Sequence, residues 1–303
     1  MLRATCDEQR FCADELHRCS IGKGPSVTPC TPPTGMARTR PMQWLARLRS
    51  YPASVAPSRA TLRRVKAFRA ECPDHFAVLT SNPDSRPSQR IGPSGLLVDY
   101  TPVAGARGVV AFGHAGGSGR SSPRNRLVAG VLHDYGLSTL MVDLLPDSAQ
   151  AVDPRIFDIA LLAGRIVEAM DWLRAREPAH GARVALLGIG TCGAAALRVA
   201  AQWPQRTTAV VMRGGRPDLA ADFLSALQVP TLMIVGGNDA DAVALNRRAA
   251  QAMRGEHRLD VLPGSSQRFE EPGALEAVAH LAGAWFARHS AVASPARATA
   301  RSA

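Results

Sequence analysis

From Ser88 to about His289 the chain alternates short runs rich in Val, Leu and Ile with amphipathic stretches of helical period. The runs near Gly95–Tyr100, Gly108–Phe112, Ser138–Asp143, Arg183–Leu187, Thr208–Met212, Pro230–Val235 and Leu259–Leu262 read as strands. Helices are predicted between them, around Arg124–Asp134, Phe157–Arg176, Thr191–Gln202, Asp241–Met253 and Gly273–Arg288, the third stopped by Pro204. Strands apolar on both faces, joined by helices, imply a parallel sheet covered on both sides. Roughly two hundred residues of this pattern make one doubly wound α/β domain.

The rest of the chain differs in kind. Residues 1–70 are rich in Pro, Ser, Thr, Gly and Arg and predict a mostly disordered basic extension, with a short helix from about Ala60 to Glu71. Residues 71–87 read as a linker, 88–289 as the folded domain and 290–303 as a disordered tail. At 46% hydrophobic and 20% charged, the whole excludes fibrous, collagen-like and wholly disordered classes. The net charge of +11 would ordinarily suggest nucleic acid or an anionic membrane as partner. Resolved along the chain, residues 16–70 carry eleven basic side chains and no acidic one, while residues 71–287 carry a net charge of −1. A weak, non-specific anionic partner for residues 16–70 is therefore the most that this charge implies.

Cys6, Cys12, Cys19 and Cys30 crowd the first thirty residues and leave Cys72 and Cys192 for the remainder, which is no disulfide framework. Their spacing contains no C-x-x-C pair, so no metal site is expected. No stretch has the apolar run of a signal peptide or a membrane span, and a cytoplasmic location is the expectation. Met1, Met36 and Met42 are each plausible translation starts.

In an open α/β sheet ligands bind beyond the carboxyl ends of the strands. The loops there are His114–Arg120, Asp143–Pro146, Gly188–Gly193, Arg213–Arg216, Gly236–Asp239 and Pro263–Arg268. Three readings compete. Gly188, Gly190 and Gly193 spell the dinucleotide fingerprint G-x-G-x-x-G between a strand and a helix. That fingerprint belongs on a first strand with an acidic residue after the next, whereas here three strands, expected to be parallel, precede it and the next strand ends in Arg213, which only an NADP-type 2′-phosphate would suit. The second reading is the α/β-hydrolase plan. Mapped by topology, its nucleophile elbow falls on Gly188–Cys192, its acid on Asp239 and its histidine within Ser265–Gln267. The third moves the nucleophile to Cys192, because Gly190-Thr191-Cys192-Gly193-Ala194 also has small residues flanking a thiol. A buried cysteine serving as a small apolar residue is its simpler explanation. His114 is expected to bond to backbone, and Asp143 and Asp158 to line the cleft or to pair with Arg124, Arg126 or Arg155.

The stretch from about Gly108 to His289 resembles the dienelactone hydrolase-like family of small, cap-less α/β hydrolases. The resemblance rests on S-P-R-N-R at Ser122–Arg126, D-L-L at Asp143–Leu145, F-D-I at Phe157, D-W-L at Asp171, R-G-G-R-P-D-L-A at Arg213–Ala220, V-G-G-x-D at Val235–Asp239 and F-E-E-P-G-A-L-E at Phe269–Glu276. It implies an α/β-hydrolase fold and ester or lactone hydrolysis by nucleophile, histidine and aspartate, with no metal and no organic cofactor. Members similar to this sequence carry Ser or Cys where Gly190 stands and His where Gln267 stands, while Asp239 matches the acid. The amides of Thr191 and of Ala115 or Gly116 match the oxyanion hole. The resemblance thus implies a fold whose triad has decayed, one that binds a small carbonyl or acidic ligand with little turnover.

Overall fold

The structure, a computed structural model, describes residues 88–116, 119–146, 153–177 and 183–290. The predicted helix near residues 60–71, the basic extension, the linker and the five cysteines before Cys192 lie outside the described residues, as does the tail from residue 291.

Eight strands form one sheet in the order β1-β2-β4-β3-β5-β6-β7-β8. They are β1 (Gln89–Ile91), β2 (Leu96–Thr101), β3 (Val109–His114), β4 (Ser138–Asp143), β5 (Val184–Ile189), β6 (Thr207–Arg213), β7 (Thr231–Gly236) and β8 (His257–Leu262). The helices are α1 (Pro123–Asp134), α2 (Ile159–Arg176), α3 (Thr191–Gln202), the single turn α4 (Ala221–Leu224), α5 (Ala240–Ala252) and α6 (Ala274–His289). Every predicted strand and helix within the described residues is present.

One expectation is corrected. β2 runs antiparallel to β4, and β1 pairs with it as a hairpin, so two antiparallel and two parallel strands precede β5 where three parallel ones were expected. The cause is connector length. Residues 102–108 are too few for a parallel crossover, which takes a dozen residues or more. β2 differs from the parallel strands by alternation, as an antiparallel strand with one face less covered does: Leu96, Val98 and Tyr100 are buried while Leu97 and Asp99 are only partly so. β1 and α4 are too short to leave a periodic signal.

Helices cover both faces. α1 and α6 pack on Val110, Phe112, Leu187, Val211 and Ile234, and α2 and α3 pack on Ala111, Leu186, Val210 and Met212 on the other side. Each fully buried Leu or Val contributes about 1.5–3 kcal/mol, so these two layers dominate the stability. Close helix approach is secured by small residues. Ala194, Ala195, Ala196 and Ala200 are buried along α3, and a side chain at Gly283 of α6 would lie 2.5 Å from Tyr135 Cδ2. Among the described residues no helix is long and apolar enough to cross a membrane.

Candidate functional site

β5 lies in the middle of the parallel strands and ends at the elbow. Gly190, the residue between β5 and α3, has φ 59° and ψ −125°. For any residue with a Cβ this conformation is strained by about 1–3 kcal/mol, and it is the turn that lifts a nucleophile above a sheet. The surrounding glycines make the turn possible. A side chain at Gly188 would come within 2.5 Å of Gly193 Cα, and one at Gly193 would run into Met212. The G-x-G-x-x-G spacing is thereby explained by packing of α3 on β5 and β6. At Gly190 itself a Cβ would find nothing within 4 Å. The frame of a nucleophile is intact, and the space for its side chain is open.

Asp239 and Gln267, the positions expected for acid and histidine, lie in the loops after β7 and β8. Asp239 is the first residue beyond the β7 loop, and its Oδ1 accepts the Ala242 amide at 2.8 Å, capping α5. Gln267 lies in the β8–α6 loop, which folds back over β6 and β7. The Asn238 amide donates to Ser265 O at 3.0 Å, and a Cβ on Gly214 (φ 54°) would stand 2.7 Å from Gln267 O. Glu271 fixes this loop by accepting the Ser266 amide at 2.7 Å. Arg124 fixes it from the other side, with Nη2 donating to the carbonyls of Arg268 and Phe269. Gln267 and Asp239 share no hydrogen bond.

Cys192 is the second residue of α3, 1% exposed, on the α2 side of the sheet beneath Gly113. Burial pushes its thiol up to about 12, against a smaller opposing hydrogen bond from the Ala115 backbone. Thr191 opens α3 beside Gly190, and Ala115 and Gly116 follow β3, so the expected oxyanion residues flank the elbow. Gly190 is further pinned from β6, its amide donating to Arg213 O at 3.4 Å and its carbonyl accepting from the Arg216 amide at 3.3 Å.

The acidic residues settle differently from the expected pairings. Asp143 pairs with Arg120 (3.0 Å) and not with Arg124 or Arg126, because its Oδ1 also takes the Arg120 amide at 2.9 Å. Asp158 caps α2 through the Leu161 amide at 2.9 Å, and Arg155 is taken by Asp153 at 2.7 Å. His114 does bond to the Gly116 backbone. Its pKa is lowered, chiefly by burial, with Asp143 raising and Arg213 lowering it further. Arg213 is the residue whose place the sequence did not announce: it is 7% exposed, on the same face as Ala209 and Val211. Strand alternation from Val211 was the one available signal. Among the described residues no cluster of His, Cys, Asp or Glu could hold a metal.

No family model matches the chain. Among solved structures, a dienelactone hydrolase from Anabaena variabilis ATCC 29413 is 44% identical with a TM-score of 0.63, the match covering 68% of this chain and 99% of that one. Est1E from Butyrivibrio proteoclasticus, 14% identical with a TM-score of 0.53 over 67% of this chain and 98% of its own, shares the fold. A curated relative from Mycobacterium tuberculosis (strain H37Rv), named "Putative phosphoribosyl transferase Rv0571c", is 44% identical over 201 residues. That match takes in 64% of this chain but 45% of the relative, so the chain spans less than half of the curated protein. With antiparallel β2, an elbow turn after β5 and 44% identity over 99% of the length of a dienelactone hydrolase, the chain belongs to the dienelactone hydrolase family of α/β hydrolases.

Proposed function

We propose that this chain is a ligand-binding member of its family with little or no turnover of esters or lactones. The observation that carries the reading is Gly190, which holds the elbow conformation with nothing within 4 Å of where a nucleophilic side chain would begin. Glycine supplies no nucleophile. Glutamine at 267 cannot accept a proton and return it near neutral pH. In well-studied serine hydrolases, losing the nucleophile or the histidine costs roughly 10⁶-fold in kcat, and the residual of about 10³ to 10⁴ over water comes from oxyanion hole and binding alone. What remains here is a cleft that recognises a small carbonyl or acidic ligand.

Cys192 is a poor substitute for the lost nucleophile. It is buried beneath Gly113, and a thiol pushed up to about 12 is almost wholly protonated at neutral pH. The NADP reading is disfavoured because Gly188 and Gly193 are accounted for by helix packing. The transferase name belongs to proteins of which this chain spans 45%, and the elbow, which is hydrolase geometry, gives it no support. A cytoplasmic location and loose binding of polyanions by residues 16–70 complete the proposal.

The test is hydrolysis of p-nitrophenyl acetate by the full chain, by its Cys192→Ala variant and by buffer. Equal rates are expected. A burst that depends on Cys192 would replace this reading with an active thiol esterase.

A further inference from the structure

At the carboxyl ends of β3, β4 and β6, on the α1 and α6 side of the sheet, a group of charged side chains serves no step of hydrolase chemistry. Asp143 is consumed by Arg120. Among the described residues Arg213, 7% exposed, has no carboxylate partner. Its Nη2 reaches only Asn125 Oδ1, at a long 3.4 Å, and its Nη1 is buried with no hydrogen-bond partner. Burial, and behind it the positive charge of Arg124, lowers the Arg213 pKa to about 10, which leaves it charged at neutral pH. Beside it, His114 Nδ1 is also buried without a partner. Proteins rarely bury a guanidinium uncompensated, and never cheaply. A buried guanidinium with an unused donor at Nη1, beside a second guanidinium and one strand from the elbow, is the complement of an oxyanion.

We propose that Arg213, with Arg124, binds the anionic group of the ligand that occupies this cleft, a carboxylate or a phosphate. The assignment rests on the reading of the cleft as a binding site. A planar guanidinium donates two parallel hydrogen bonds to either oxyanion, and burial excludes the water that would otherwise screen the pair. The main-chain link between Arg213 O and the Gly190 amide ties the charge to the elbow. The carbonyl end of a short acidic ligand would then lie toward the open space at Gly190.

The test is thermal unfolding of the full chain in sodium chloride, acetate, phosphate or sulfate at matched ionic strength. Acetate or phosphate is expected to raise Tm by several degrees over chloride, saturably, and the more effective of the two at equal concentration identifies the anion class. Arg213→Met is expected to abolish that rise while leaving the Tm in chloride equal to or above that of the unsubstituted chain, because an unpaired buried charge has been removed. Arg124→Gln, which keeps a donor for the loop carbonyls, is expected to weaken the anion dependence about tenfold. Identical Tm in all four salts, or an undiminished rise in either variant, would overturn the site. So would a fall in the chloride Tm of Arg213→Met, which would make Arg213 a structural tie to Asn125. Ester hydrolysis plays no part in these readings, so an active wild-type enzyme would refute the function proposed above and leave the anion site standing.

Discussion

At Gly190 the strain that an active hydrolase stores in its nucleophile is absent, because glycine adopts φ 59° without penalty. Gly190→Ser should therefore fit sterically yet lower the unfolding free energy by about 1–3 kcal/mol, read from urea midpoints. Unchanged stability would mean that the elbow relaxes once a side chain is present. Cys192 makes the converse prediction. With a thiol pushed up to about 12, it should resist alkylation in the folded chain at pH 8 and react only on unfolding, as followed by peptide mapping. Rapid native labelling would expose a thiolate that this geometry does not provide. That Gly190, Asp239 and Gln267 lie in the loops after β5, β7 and β8 was legible in the sequence, because the alternation of runs dictates which strand each follows. Arg213 was not, because R-G-G-R says nothing about which arginine turns inward or whether an acid awaits it there.

Among the elements, α5 gives Asp239 a second duty. Its carboxylate caps the helix through the Ala242 amide, so Asp239→Ala should cost about 0.5–2 kcal/mol of stability and Asp239→Asn much less, whether or not the chain turns over a substrate. Equal stability of all three proteins would deny the cap. α1 and α6 carry His133, His280 and His289, and burial lowers the pKa of each. The unfolded chain, with histidines near 6.5, then binds more protons than the folded one as pH falls through 6.5. Stability should accordingly decline from pH 7.5 towards pH 5, and His280→Gln should reduce that slope, as unfolding curves would reveal. A pH-independent midpoint would mean that these rings are solvated. Helix and strand positions were readable from periodicity because both faces of the sheet are buried, but β1 and α4 fall below the length at which periodicity exists.

For the whole molecule, the parallel core followed from runs apolar on both faces, whereas antiparallel β2 is a matter of how far residues 102–108 can reach. Charge is distributed on the same scale. The segment 71–287 has a net charge of −1, so a chain beginning at residue 71 should lose any retention on heparin that the full chain has. Retention undiminished by that truncation would locate the polyanion site in the folded body. On the function proposed above, the hydrolase frame lacks two functional groups and nothing else in its machinery. The most direct measurement is p-nitrophenyl acetate hydrolysis by the double variant Gly190→Ser, Gln267→His beside the unsubstituted chain. Activity at least about 10³-fold above the unsubstituted chain is predicted, since oxyanion amides and acid position are already present. Silence from a folded double variant, or equal activity in the unsubstituted chain, would contradict it.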